Sequence, residues 1–235
     1  LCGDKMRCKE AMLKAKVPTV PGSPDLTKDA ADAEKIANDI GYPVMLKSVY
    51  GGGGRGIRIV TTDQELRDAY ETVTAESIAA VGKSAIIVEK FLEKTRHIEY
   101  QMCRDHHGNA VHLFERECSI QRRNQKLIEQ TPSPVVDEAK REEIGELVVK
   151  AAEAVDYTNL GTAEFLRADN GEFYFIEINA RLQVEHPISE MVSGLDFVKL
   201  QLDIANGETL PFKQSDLKMN GYAIECRINA EDTFL

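Results

Sequence analysis

Apolar positions along the chain alternate between two periods, one near three to four residues and one near two. The helical period marks residues 3–15, where Met6, Ala11 and Met12 share a face, and residues 28–41, 63–82 and 137–156. Gly41 follows the second of these segments and suits a helix stop. Two more helices are predicted near 187–193 and 196–206. Strand-like runs fall at 42–49, 57–60 and 84–91, then near 97–104, 110–118, 125–130 and 220–229. Turn residues His107-Gly108-Asn109 separate two of them, and residues 17–24, with three prolines and a glycine, read as a rigid connection. No internal repeat or low-complexity segment interrupts this order. The pattern predicts an α+β fold: a lead-in helix over 1–17, a small lobe near 18–85, and a larger, mainly antiparallel sheet over 86–235.

One hairpin carries chemistry. Asn170-Gly171 lies between two aromatic-rich, β-prone runs, and Asn-Gly suits a two-residue turn in which both positions need positive φ. Centring such a turn there makes Asp169 face Glu172, Leu166 face Phe175, Phe165 face Ile176 and Glu164 face Glu177. Opposed residues bring Cβ atoms to about 4.5–5.5 Å, where two carboxylates repel unless a cation lies between them. With Asn179 two residues further on, the oxygen set suits Mg²⁺ or Mn²⁺ held jointly with substrate phosphates. A plain edge hairpin is the alternative, and a three-residue loop would shift the register and break the pairing. Beyond the hairpin, Glu177, Asn179, Arg181, Gln183 and Glu185 alternate with Ile178, Ala180, Leu182 and Val184. In an extended chain the polar set lines one face and the apolar set packs behind. A solvated strand face would alternate the same way.

Composition narrows the class. With 43% hydrophobic and 29% charged residues, the 235-residue chain can bury a substantial core and form two lobes. A net charge of −10 argues against a nonspecific nucleic-acid surface. No run reaches the ~18 apolar residues of a membrane span, and the start does not read as a signal peptide. Cys2, Cys8, Cys103, Cys118 and Cys226 are odd in number, scattered and without Cys-x-x-Cys spacing. They read as free thiols in a reducing compartment, the cytoplasm or, in a eukaryote, the mitochondrial matrix. The chain starts without Met and stops just after a strand-like run, so it is expected to be part of a longer polypeptide.

Further signals point to a phosphate ligand. The glycine loop at 51–56 joins two strands, lacks the Gly-Lys-Ser/Thr of a P-loop and precedes no helix, so it reads as a flap whose N–H groups approach phosphate, or else as a mobile surface hairpin. Lys47 interrupts an apolar strand just ahead of it, and a buried lysine needs a partner such as phosphate. Glu89 ends an apolar strand and could take an adenine amino edge; a solvated strand-end acid is the alternative. His97 could touch a ribose or be a structural histidine. The run Gln121-Arg122-Arg123-Asn124-Gln125-Lys126 is a local cationic cluster in an acidic chain, suited to an anionic substrate or to a solvated edge.

These residues together resemble a known family. Gly3-Asp4-Lys5, Lys47 with the glycine loop, Glu89-Lys90-Phe91-Leu92, Arg96-His97-Ile98-Glu99, Cys118-Ser119-Ile120-Gln121-Arg122-Arg123, Glu164-Phe165-Leu166, the run 177–187 and Glu225-Cys226-Arg227-Ile228-Asn229-Ala230-Glu231-Asp232 are similar to the biotin carboxylase component of biotin-dependent carboxylases, within the ATP-grasp superfamily. The resemblance covers essentially the whole chain. It implies ATP contacts from Lys5, Lys47, Gly53, Gly54, Glu89, Lys90, Phe91, Leu92, His97, Gln121, Asn124, Glu164 and Glu177. It implies Mg²⁺ (or Mn²⁺) at Glu164, Glu177 and Asn179, and bicarbonate at Lys126, Arg181, Gln183, Val184 and Glu185. Glu185 would be the general base, with Arg181 and Lys126 also catalytic, and Arg227 would stabilise the biotin enolate. Implied partners are a biotin carboxyl carrier protein or domain, a carboxyltransferase subunit or domain, and a second copy in a homodimer. The family's N- and C-terminal domains would precede Leu1 and follow Leu235. Asn124 stands where many members have histidine, and the proline and spacer usual after Asp232 are missing. Another ATP-grasp ligase and a non-catalytic nucleotide-binding module are the competing readings.

Overall fold

The computed structural model describes residues 2, 5–49, 56–123 and 125–230, with the side chains of Lys5, Ala80 and Val81 left out. Its strands form two antiparallel sheets. The smaller has the order β2–β1–β3, from β1 (Val44–Ser48), β2 (Ile57–Val60) and β3 (Ile86–Lys90). Helices α2 (Ala30–Ile40) and α3 (Asp63–Val81) cover it, and Ala33, Ala37, Leu66 and Val73 pack on Val44, Leu46, Val60 and Val88. Both helices begin where the sequence supplies a cap: Asp29 accepts from the Asp32 amide and Thr62 from the Glu65 amide. They end at Gly41 and Gly82. The small sheet reaches Lys90, past the expected boundary at 85, because β3 pairs with β1 on one side and with the prolyl connection on the other.

The larger sheet has the order β8–β7–β4–β5–β6–β9. Its strands are β4 (Arg96–Arg104), β5 (Ala110–Arg122), β6 (Gln125–Thr131), β7 (Asn159–Arg167), β8 (Phe173–Asn179) and β9 (Ala223–Cys226). Helices α1 (Lys5–Lys14) and α4 (Glu138–Ala154) lie on one face, over Ile98, Tyr100, Ala163 and Phe165. Helices α5 (His186–Ser193) and α6 (Phe197–Ala205) lie on the other. Strand alternation then decides the site: the residues between those core positions, Glu99, Gln101, Thr162 and Glu164, turn to the face under α5. The expected strand at 110–118 runs on to Arg122, and the one expected over 220–229 is confined to Ala223–Cys226.

The Asn170-Gly171 hairpin differs from expectation in its turn. Only Gly171 takes a positive φ, 89°. The Ala168 amide bonds to the Glu172 carbonyl (2.8 Å) and the Gly171 amide to the Ala168 carbonyl (3.0 Å), which closes a three-residue loop. The register therefore starts one residue off, with Leu166 opposite Tyr174 and Phe165 opposite Phe175. The ladder shifts again between Phe165 and Glu164, where Ile176 is the extra residue of a bulge. Glu164 thus faces Glu177 as expected, and Thr162 faces Asn179.

Candidate active site

Under α5 the large sheet walls a cavity of about 480 Å³. His97 on β4, Lys126 on β6, Glu164 on β7, and Glu177 and Asn179 on β8 line it. Arg181, Gln183, Val184 and Glu185 come from the loop into α5, Arg227 from just past β9, and Gln121 and Gln125 from the rim. A larger hollow of about 870 Å³, near Arg141 and Tyr222, contains none of the predicted site residues.

Lys126 holds the centre. Its Nζ donates to Glu185 Oε1 at 2.6 Å, to Glu164 Oε1 at 3.2 Å and to Glu99. Burial works against its charge, but the surrounding carboxylates outweigh that and hold its pKa above the usual lysine range. Glu185 is 2% exposed and takes a second cation on Oε2, where Arg227 Nη2 donates at 2.8 Å. Arg227 is itself anchored by Nε to Glu129 Oε1 (2.6 Å) and by its amide to the Leu127 carbonyl (2.9 Å).

His97 sits among the acids, with Nε2 3.3 Å from Glu164 Oε2 and 3.6 Å from Glu99 Oε2. Burial pulls its pKa down, yet those carboxylates raise it to about 9, so it is a cation at neutral pH. Glu164 resists its own burial through His97 and Lys126 and stays ionised. Its Oε1 also accepts from Asn179 Nδ2 (3.0 Å) and Gln183 Nε2 (3.3 Å). The expected ribose role of His97 therefore meets a residue already engaged with carboxylates.

The one-face alternation ends at Asn179. Residues 180–185 leave the sheet and lead into α5, which starts at His186 with Pro187 in its first turn, where a proline suits a helix start. Val184, expected to pack behind, is 61% exposed, whereas Gln183 and Glu185 are buried. Arg181 stays exposed at the rim, its Nη1 3.4 Å from the Leu182 carbonyl. The polar residues still converge on the cavity, by a turn rather than a strand.

On the small sheet, Lys47 Nζ donates to Glu89 Oε2 at 2.6 Å, and Lys9 of α1 donates to Oε1 at 2.9 Å. Burial raises the Glu89 pKa, but the two lysines outweigh it and bring it below the usual value. Glu89 thus answers the question of a partner for Lys47. Lys90 Nζ turns away to the Gly41 and Tyr42 carbonyls, both at 2.9 Å. The amides of Lys90 and Phe91 are taken by the Pro21 and Pro43 carbonyls. None of these residues lines the Lys126 cavity. Gly53, Gly54, Asn124 and the side chain of Lys5 lie outside the described residues, as do Gly3, Asp4, Glu231 and Asp232.

Sequence reasoning assigned no role to Lys9, Glu99, Arg116 or Glu129. Glu99 was within reach, since it shares a strand face with His97. Arg116 and Glu129 carry no local signal, because their partners come from distant strands.

Residues 4–213 match the sequence profile of the family described as carbamoyl-phosphate synthase L chain, ATP binding domain. The chain belongs to this family. Within it, the chain is 53% identical over 232 residues to the 2-oxoglutarate carboxylase small subunit of Hydrogenobacter thermophilus, covering 99% of this chain and 49% of that protein. It is 51% identical to a biotin carboxylase of Nostoc, covering 99% and 52%. A biotin carboxylase–β-γ-ATP complex from Campylobacter jejuni superposes with a TM-score of 0.93 at 48% identity, over 100% of this chain and 53% of that one. The Hydrogenobacter thermophilus biotin carboxylase domain dimer, in complex with MgADP, ADP and bicarbonate, superposes with a TM-score of 0.92 at 53% identity, over 99% and 51%. This family member carries the ATP-grasp fold of those neighbours, and it spans about half the length of the curated relatives it matches.

Proposed function

We propose that this chain forms the ATP-grasp region of a biotin carboxylase, which uses ATP and bicarbonate to carboxylate biotin on a carrier protein. The observation that carries the reading is Glu185, a buried carboxylate held between Lys126 and Arg227 in a cavity that also presents Arg181 and Gln183. The neighbours that bind MgADP and bicarbonate support it.

Bicarbonate enters beside Arg181 and Gln183, the exposed cation and the amide donor of the cavity. Lys126 and Arg181 balance its charge. Glu185 takes the proton of its hydroxyl, and the freed oxygen attacks the γ-phosphorus of ATP. The bond from phosphorus to the bridging oxygen breaks, ADP leaves with that oxygen, and carboxyphosphate forms. Lys126 and His97 offset charge developing on the transferred group. Carboxyphosphate splits to CO₂ and phosphate. Phosphate takes the ureido N1 proton of biotin, and that nitrogen bonds to CO₂. Arg227 favours the enolate form of the ureido group by charge-assisted hydrogen bonding. It must first exchange Glu185 for that oxygen, which orders the two half-steps on one arginine.

Glu164 and Glu177, opposed across the hairpin with the Asn179 carboxamide alongside, are hard oxygen donors that fit a divalent cation. Mg²⁺ held there supplies charge neutralisation to the phosphates. Lys47, Gly53, Gly54 and Lys5 are assigned to phosphate, and Glu89, Lys90, Phe91 and Leu92 to the adenine edge, with Gln121 and Asn124 on the nucleotide side. A carrier protein or domain, a carboxyltransferase and a second copy of the subunit complete the assembly. Among the described residues, no helix is long and apolar enough to cross a membrane.

ADP release by the intact protein with Mg²⁺-ATP tests the reading. Release that requires bicarbonate and rises with biotin is expected. Release indifferent to bicarbonate would assign the site to another ATP-grasp substrate.

A further inference from the structure

Arg116 on β5 has no solvent exposure, and every N–H of its guanidinium is engaged. Nε donates to Glu99 Oε1 at 2.7 Å. Nη1 donates to Gln101 Oε1 at 2.8 Å and Ser189 Oγ at 2.9 Å. Nη2 donates to Thr162 Oγ1 at 3.2 Å and Gln183 Oε1 at 3.1 Å. These partners come from β4, β7, α5 and the loop before α5, so one side chain ties four segments beneath the cavity floor.

A guanidinium only donates, which fixes the orientation of whatever touches it. A carboxamide could face either way in an open site. Beside Arg116, Gln183 must present its oxygen, since its amino group there would set donor against donor. Its Nε2 is thereby turned outward, where it meets Glu164 Oε1 at 3.3 Å. Glu99 is polarised in the same manner: Oε1 takes Arg116, and Oε2 turns to Lys126 and His97.

We propose that Arg116 is a positioning residue for anion binding: it holds the Gln183 amide with its N–H groups toward the cavity, so that the site offers donors to an oxyanion. That the anion is bicarbonate rests on the function proposed above; the orientation of Gln183 does not. Without the fork of Arg116, the amide turns and sets its oxygen against the anion. Thr162 and Ser189 act with Arg116 by holding the guanidinium plane.

The test uses Arg116→Lys in the intact protein. Lysine keeps the charge beside Glu99 but lacks the fixed fork that reaches Gln183 at the same time. The KM for bicarbonate is expected to rise about tenfold, the effect of one lost charge-assisted contact, while kcat at saturating bicarbonate and the KM for ATP stay within about twofold. An unchanged bicarbonate KM, or a fall in kcat with both KM values raised together, would mark a merely structural role and overturn the proposal. Where Arg116→Lys does not accumulate as folded protein, Thr162→Val and Ser189→Ala replace it, each with a rise of about twofold to threefold in the same KM. A second readout needs no turnover. In protein labelled with ¹⁵N-glutamine, the side-chain amide pair of Gln183, assigned by its loss in Gln183→Met, is expected to be single in the parent protein and doubled or averaged in the Arg116 or Thr162 variant. Bicarbonate-independent ADP release by the parent would sink the functional reading alone, and an unperturbed Gln183 amide would sink the role of Arg116 alone.

Discussion

At the scale of single residues, the cavity works through a buried carboxylate that two cations balance. Glu185 has one oxygen on Lys126 and the other on Arg227. Glu185→Gln keeps the size and one acceptor oxygen but removes the proton acceptor, and its amino group faces Lys126 or Arg227. The expected outcome is a loss of about 10²- to 10⁴-fold in bicarbonate-dependent ADP release with ATP binding retained, read by turnover and by calorimetric titration. Unchanged turnover would take Glu185 out of the chemistry. His97 makes a prediction about pH. The fold raises its pKa from about 6.5 to about 9, because the Glu164 and Glu99 carboxylates outweigh the cost of its burial. The folded state therefore holds this proton more tightly than the unfolded chain. The stabilisation is complete below about pH 6.5 and is lost as pH rises through about 9, on the order of 3 kcal/mol in all. Urea unfolding at pH 6.5 and 9.5 should show a smaller loss of stability in His97→Gln than in the parent; equal losses would mean that the fold does not raise the His97 pKa.

Elements were legible where two local signals coincide. Helix period and stop residue fall together at Gly41, where α2 ends, and the caps at Asp29, Thr62 and Gly82 set the remaining ends of α2 and α3 within two residues of the expected bounds. The end of β8 was hidden, since alternation continues through Glu185 while the N-terminus of α5 pulls the chain out of the sheet. The Glu164–Glu177 pairing was reached through the wrong turn: the three-residue loop shifts the register, and the bulge at Ile176 shifts it back. Arg116 was beyond reach because its five contacts join positions between 99 and 189, and only the fold brings them together. Packing makes its own demand at Gly22, in the connection that flanks β3. A Cβ there would lie 2.4 Å from the Val88 carbonyl oxygen and 3.0 Å from Glu89 Cα, both backbone atoms that do not swing aside. Gly22→Ala should destabilise the protein by about 2–4 kcal/mol, as overpacking with a displaced backbone does. Gly171→Ala, which meets only the end of a flexible arginine but has φ of 89°, should cost about 1 kcal/mol. Chemical denaturation of the two variants compares them, and equal costs would refute the close-approach argument.

At the scale of the whole molecule, the same connection closes an edge of each sheet. The Phe175 amide of β8 bonds to the Pro18 carbonyl, and the Ser23 amide bonds to the Val88 carbonyl of β3, both at 2.7 Å. The charged link across the same junction is Glu89, with Lys9 reaching it from α1 under the large sheet and Lys47 from within the small one. In the proposed reaction, ATP phosphates draw Lys47 toward the glycine loop, and Glu89 gives up one of its two cations. A carboxylate this buried does not stand alone without a large penalty. Lys9 meets that demand by staying on Oε1 while Lys47 leaves Oε2. With Lys9→Met, Lys47 becomes the sole counter-charge, and nucleotide must pull it from an acid that has no other partner. The KM for ATP is then expected to rise about tenfold or more while the KM for bicarbonate is unchanged, because the Lys126 cavity does not include this pair. Lys9→Arg, which keeps the charge, should restore most of the loss. An ATP KM unaffected by Lys9→Met would mean that Lys47 never leaves Glu89, and that the phosphates are held by other groups.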